Sequence, residues 1–411
     1  MTRTPHTEAS TPSGPHPRIL LVDCDAFYVQ VARLEDPEGV GKTRLLLVGG
    51  SATGRGVVTS ASYAAREYGV RSAMPTAQAL RLCPEATVVP VPREACVRRS
   101  QDVREVLERL SPVVQAASID EFYLDLQGTE RLFADESLED TAERIRQTVL
   151  EKTRISVSIG GSTRRMIAKL AAGLAKPGGV HVVTPGQEAE FMCKLDLAHI
   201  PGIGPAMVAS LERRGLVTVS DALGVQERWL QKWLGDQRGT WLHQRIRGID
   251  PTPVRTHEPR KSISSERTFS RDIDDGEELE RQLMKLVVSI GGTLRKKSLR
   301  ARTITVKIRD GDFTTRSAAY TLPDAIETDR AIVSVARSLF GELRSARSSK
   351  TRLLGVGLSN LIDRDVPSQI ELFTDDVALE GERDRALSRV MDDLRHRFGD
   401  QAVRPGGVLR S

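Results

Sequence analysis

Ser118-Ile119-Asp120-Glu121 is the stretch whose reading decides the fold. Pro112-Val113-Val114-Gln115-Ala116-Ala117 leads into it, and Phe122-Tyr123-Leu124-Asp125-Leu126 leads out. Both flanks are short and rich in β-branched, aromatic or aliphatic residues, which predicts two strands joined by a bend. Neighbours on a regular strand point to opposite faces, whereas a bend lets both carboxylates turn towards one place. Carboxylates held together repel unless a cation lies between them. Hard oxygen donors of this kind suit magnesium, which binds through one or two carboxylates plus substrate phosphates. The competing reading is a solvated acidic turn.

Upstream, Arg18-Ile19-Leu20-Leu21-Val22-Asp23-Cys24-Asp25 is an apolar run that ends in acid. That pattern suits a buried central strand delivering a carboxylate at its end. Asp23 and Asp25 share a face by period two, and Phe27-Tyr28 follows at once. Residues 44–49 read as another strand, and the glycine-bearing loop 49–56 precedes Val57-Val58-Thr59-Ser60. Ala61 to Tyr68 reads as a helix with Gly69 as a left-handed stop. Tyr63 and Arg66 share a face of it, and a guanidinium fork suits phosphate oxygens. Met74-Pro75 starts another short helix.

Downstream, residues 99–110 and 137–153 carry amphipathic helical periods. Ile155 to Gly160 alternates like a strand, and Met166 to Leu174 is an Ala-rich helix carrying Lys169. Lys176-Pro177-Gly178-Gly179 ends it before a strand at Val180 to Val183. Strands alternating with long helices indicate an α+β domain. Ile200-Pro201-Gly202-Ile203-Gly204 then enters a helix, the signature of a helix-hairpin-helix whose backbone N–H groups, around Gly202 and Gly204, bind phosphate. A second α/β unit spans about 261–361. Within 281–320 ten Lys or Arg, among them Arg295, Lys296 and Lys297, face only Asp310 and Asp312. Thr303 to Arg309 alternates, so its charges line one side of a strand, a plausible clamp for nucleic-acid backbone.

A chain of 411 residues is too long for one core. Lys plus Arg exceed Asp plus Glu by 60 − 55 = 5, a mild basic excess that points to a polyanion partner where it is localised. Cys24, Cys83, Cys96 and Cys193 lack zinc-ligand spacing and suggest no disulfide framework, which fits a reduced cytoplasmic setting. No apolar run is long enough to span a bilayer. Residues 1–16, rich in Thr, Ser, Pro and His, read as a disordered leader.

Taken in order, Val22 to Tyr28, Ser62 to Val70, Ser118 to Glu121, Ala175 to Gly179, Pro201 to Gly204 and Lys261 to Ser264 resemble the markers of the Y-family DNA polymerases, most closely the bacterial DinB or DNA polymerase IV group. The resemblance runs from about residue 18 to 373. It implies an α+β multidomain right hand: palm 17–34 and 93–183, fingers 35–92, a helix-hairpin-helix thumb 184–251, linker 252–260, an α/β little finger 261–361 and tail 362–411.

The resemblance also implies roles. Asp23 and Asp120 would bridge two Mg²⁺ ions, with Glu121 and the main-chain carbonyl of Cys24 completing the site. Tyr63, Arg66 and Lys176 would hold the dNTP phosphates, and Tyr28 would stack under the sugar and exclude a 2′ hydroxyl. Asp25 is not used as a ligand in the family. Implied partners are primer-template DNA, dNTP and the bacterial sliding clamp, the last through Gln369, Leu372 and Phe373; a monomer without membrane contact is expected. The activity implied is low-fidelity translesion synthesis; a catalytically silent DNA-binding relative is the alternative, and a nucleotide cyclase fits less well. The chain departs from the family pattern at Cys24, Phe122 and Arg164-Arg165. In the tail, Leu387, Val390, Met391, Leu394 and Phe398 recur at helical spacing, predicting a helix that packs on the little finger or binds another partner.

Overall fold

The structure, a computed structural model, describes residues 16–129, 136–256, 258–346, 349–366, 379–399 and 402–403. The chain forms two compact units that divide between Glu258 and Pro259.

The first unit opens with strand β1 (Ile19–Cys24) and helix α1 (Phe27–Glu35). Strands β2 (Leu46–Gly49) and β3 (Val58–Ala61) lead to α2 (Tyr63–Glu67) and α3 (Thr76–Leu82), and β4 (Thr87–Val89) closes this segment. Helix α4 (Arg93–Leu110) enters the hairpin of β5 (Val113–Ala116) and β6 (Glu121–Asp125). Then follow α5 (Leu138–Thr153), β7 (Val157–Ser162), α6 (Arg165–Leu174) and β8 (Val180–Val182). The main sheet has the order β5-β6-β1-β7-β8, and a small sheet has the order β3-β2-β4. The predicted bend therefore lies between two strands, next to the central strand β1. Strand β7 does not alternate; it is buried along its whole length, as a central strand covered on both faces should be. Helix α6 seats closely on it because residue 160 is glycine: a Cβ there would stand 2.0 Å from the Ala168 carbonyl.

Then come the α-helices α7 (Glu188–Cys193), α8 (Pro205–Glu212), α9 (Val219–Leu223), α10 (Glu227–Leu234) and α11 (Asp236–Arg245). They share a core with α6 that includes Ile200, Ile203, Leu211, Leu230 and Leu242.

The second unit contains β9 (Ser262–Ile273), α12 (Gly276–Lys296), β10 (Leu299–Asp310), β11 (Thr315–Ile326), α13 (Asp329–Ser345), β12 (Thr351–Asp363) and α14 (Glu382–Phe398). Its antiparallel sheet has the order β11-β10-β12-β9. Ile304, Val306 and Ile308 alternate inward against α12 and α13, and Lys307 and Arg309 alternate outward. The tail helix α14 docks by its polar edge, not by its apolar stripe. Asp392 and Arg395 join an ion-pair cluster with Arg295 and Asp329, while Leu387, Val390 and Phe398 stay 58%, 55% and 72% exposed.

Candidate active site

Asp23 lies one residue from the end of β1, and its partner across the β1–β6 ladder is Glu121, the first residue of β6. Asp120 precedes it on the bend. The Cys24 N–H donates to the Asp120 carbonyl at 2.9 Å, so the bend is pinned to the end of β1. Ser118 fixes its shape: the hydroxyl donates to Asp120 Oδ1 at 2.5 Å and accepts from the N–H groups of Asp120 and Glu121 at 3.2 and 3.1 Å. A short side chain that bonds its own turn is the local reason this sequence bends here.

Two carboxylates hold lysines. Lys176 Nζ is 2.6 Å from Asp23 Oδ1, and Lys169 Nζ, on α6, is 2.6 Å from both Glu121 oxygens. Burial pushes the Asp23 carboxyl up to about 6, against the pull of Lys176, and the charges of Glu121 and Asp120 push the same way. The sequence marked Lys169 as a helix residue without a role; no spacing rule pairs it with Glu121, 48 positions away.

Among the described residues, no three His, Cys, Asp or Glu side chains converge closely enough to hold a metal ion as they stand. The lysine ammoniums supply the compensating positive charge instead. The donor chemistry nonetheless fits a divalent cation: Asp23, Asp120, Glu121 and the Cys24 main-chain carbonyl are all hard oxygen donors.

Tyr28 is the second residue of α1, half-buried, its ring edge-on to Phe27 at 5.6 Å. Burial raises its hydroxyl first and the charge of Asp120 next. Ala26 makes the turn between β1 and α1 with φ 41° and ψ 48°. That left-handed conformation is costly for a residue with a Cβ and is the sort of strain found beside active sites.

Tyr63 and Arg66 lie on α2, the guanidinium stacked 4.6 Å over the tyrosine ring. The Arg66 Nε donates to the Ala61 carbonyl at 3.0 Å, and the Tyr63 hydroxyl donates to Asp25 at 3.0 Å. Through these contacts the structure gathers Asp23, Asp25, Tyr63 and Lys176. Of the family departures, Phe122 is fully buried, and Arg165 lies 4.2 Å over the Tyr123 ring and bonds the Pro253 carbonyl.

The expected DNA contacts divide. Gly202 has φ 101°, and a Cβ there would stand 2.7 Å from the Trp241 ring, so the turn requires glycine. Gly204 caps α8 in open space. Lys296 and Lys297 are exposed. Arg295 is a correction: it is 6% exposed and engaged within its own unit. Its Nε and Nη2 donate to Asp392 at 2.6 and 2.9 Å, and its Nη1 donates to Asp329 and the Glu327 carbonyl, both at 2.8 Å. Successive helix residues are about 100° apart, so one of three adjacent cations turned to the interior. Gln369, Leu372 and Phe373 lie outside the described residues.

Residues 22–173 match the impB/mucB/samB family, residues 260–372 match its C-terminal domain, and residues 198–250 match the thumb domain described for DNA polymerase-iota. The DNA polymerase IV of Staphylococcus saprophyticus is 36% identical over 344 residues, covering 84% of this chain and 95% of its own. That of Caulobacter vibrioides is 35% identical over 407 residues, covering 98% and 96%. A solved Y-family DNA polymerase chimera of Dbh and Dpo4 superposes with a TM-score of 0.76 at 27% identity, over 84% of this chain and 99% of its own. The strand–bend–strand acidic site, the helix-hairpin-helix and the C-terminal sheet unit agree with these matches: the chain belongs to the Y-family DNA polymerases, in the DinB or DNA polymerase IV group.

Proposed function

We propose that this translesion DNA polymerase adds deoxynucleotides to a primer 3′ end at Asp23, Asp120 and Glu121. The observation that carries the placement is the β1–β6 register, which sets Asp23 opposite Glu121 beside the bend holding Asp120. On this reading the palm takes 17–34 and 93–183, the fingers 35–92, the thumb 184–251 and the little finger 261–361.

Family membership suggests dependence on divalent metal, here proposed as two Mg²⁺ ions held by Asp23, Asp120, Glu121 and the Cys24 carbonyl. When bound, such ions supply Lewis acidity at the primer hydroxyl and neutralise the triphosphate and its leaving group. Lys176 holds one Asp23 oxygen, Oδ1, and a bridging role for both oxygens calls for its release. The freed ammonium then turns to β- and γ-phosphate oxygens, with Tyr63 and Arg66, so one side chain pairs with the carboxylate first and with the nucleotide afterwards. Lys169 holds Glu121 in place from α6. Tyr28 blocks a 2′ hydroxyl. Positioning and charge neutralisation then do most of the catalytic work.

The N–H groups around Gly202 and Gly204 and the ammoniums of Lys296 and Lys297 are assigned to DNA backbone. Gln369, Leu372 and Phe373 are assigned to the bacterial sliding clamp, and the enzyme to the cytoplasm as a monomer. A catalytically silent relative is not favoured, because no catalytic carboxylate is lost. Asp120→Ala should stop primer extension and leave primer-template binding intact; extension at the parental rate overturns the assignment.

A further inference from the structure

We infer that Asp25 is a positioning residue that fixes Tyr63 and the turn after Lys176 relative to the acidic site; this rests on the nucleotide role proposed above for Tyr63 and Lys176. Asp25 stands one residue past the end of β1 and is 3% exposed. A carboxylate so buried needs bonds to both oxygens. Oδ1 accepts from the Tyr63 hydroxyl at 3.0 Å and from Ser158 Oγ at 2.8 Å. Oδ2 accepts from Ser156 Oγ and from the Gly178 N–H, both at 2.9 Å. The main chain is held as well: the Asp25 N–H donates to the Ser156 carbonyl at 3.0 Å, and Gln30 Nε2 donates to the carbonyls of Asp25 and Ser156.

The donors come from separate pieces of the fold. Tyr63 belongs to α2, Ser158 to β7, Ser156 to the segment before it, and Gly178 to the turn that follows Lys176. One side chain thus sets the spacing between α2, which carries Tyr63 and Arg66, and the turn after Lys176; the single Tyr63 hydroxyl proton rests on Asp25 until a phosphate oxygen takes it. Lys176 reaches Asp23 from that turn, and Arg66 stacks on Tyr63, so both inherit their placement. With both oxygens committed to protein donors, Asp25 serves as a frame and not as a metal ligand. Groups spaced before the triphosphate arrives bind it at lower cost.

Asp25→Asn keeps the size and turns one acceptor atom into a donor amide, so one pair of donors loses its acceptor. The expected result is a rise in the KM for dNTP of about tenfold, the loss of a charge-assisted hydrogen bond. Primer-template affinity should hold, and kcat should fall by less than KM rises. A cycle with Tyr63→Phe separates positioning from general loosening. If Asp25 acts through Tyr63, the double variant costs less than the two single costs combined. Full additivity, or an unchanged KM in Asp25→Asn, overturns the inference. Should Asp25→Asn fail to fold, Ser158→Ala removes one donor from the same oxygen; it should show a smaller rise with the same split, and no rise would be equally fatal. Tyr63→Phe and Lys176→Ala keep the two ideas apart. If neither raises KM, the nucleotide assignment fails; if they do and Asp25→Asn does not, only the positioning role fails.

Discussion

The acidic site of the palm and the ion cluster of the little finger hold the same chemical groups in different surroundings. In the palm, the side chains of Asp23 and Lys176 are 14% and 27% exposed, and those of Glu121 and Lys169 are 22% and 36% exposed. In the little finger, the Arg295 side chain is 3% exposed and forks between Asp329 and Asp392. An ammonium is a compact, strongly hydrated charge that exchanges partners readily; a guanidinium engaged on several sides fixes geometry. Burial raises Asp329 although Arg295 pulls it down, just as it raises Asp23 against Lys176, so the contrast lies in the cation and in how many bonds hold it. On the function proposed above, the Asp23–Lys176 pair opens for the nucleotide, whereas the little-finger pairs stay shut.

The largest expected effect tests the first half of that contrast. Asp23→Asn should lower the rate of nucleotide insertion by roughly a thousandfold or more, the scale for losing one electrostatic contact to a transition state. The thermal midpoint should not fall with it. Burial raises the Asp23 carboxyl to about 6, above its ordinary value near 3.9. Ionising it therefore costs more in the folded chain, and parental stability should decline as pH rises from about 4 to about 6. The variant should lack that decline, and thermal unfolding in chelator across this window checks it. Parallel curves would break the comparison.

Arg295→Ala should do the reverse. Asp329 and Asp392, both half-buried, lose one of their two guanidiniums while Arg395 stays beside them, so the cost should be about 3 kcal/mol, the low end of the range for breaking a buried pair. Denaturant unfolding measures it, and a loss well below that range would place Arg295 among ordinary surface arginines. Arg295→Ala with Asp329→Asn should lose less than the two single changes summed, because the orphaned charge goes too.

At the rim of the palm cluster, Tyr28→Ala should raise ribonucleotide insertion far more than it alters deoxyribonucleotide insertion. The ratio of kcat/KM for the two sugars reads it directly, and an unchanged ratio rejects the gate. The smallest effect belongs to the exposed neighbours of Arg295. Lys296→Ala with Lys297→Ala should flatten the salt dependence of DNA binding by about 0.9 in log–log slope per lost phosphate contact. Stability should be untouched, and an unaltered slope makes these lysines plain solvated surface.

The fold was largely legible because its markers are local. The run into Asp23, the Ser118 bend and the glycines of the helix-hairpin-helix each state their geometry within a few residues. What stayed hidden depends on contacts between distant segments. Lys169 and Glu121 meet because Gly160 lets α6 sit close on β7. Asp25 shares its period with Asp23, yet its four donors come from positions 63, 156, 158 and 178. Arg295 was grouped with Lys296 and Lys297 because adjacency shows in a sequence, whereas the side of a helix that meets the interior depends on what packs there. The tail helix divides likewise: its period predicts a helix, which forms, but ion pairs on the adjacent face and not the apolar stripe dock it.

That outward stripe has a practical consequence at the bench. A ridge of Leu387, Val390 and Phe398 standing in water is a ready site for environment-sensitive fluorophores and phenyl resins. Dye-based melting curves of the folded enzyme should start bright, before any unfolding. The preparation should also be retained in hydrophobic chromatography more strongly than its mean composition suggests.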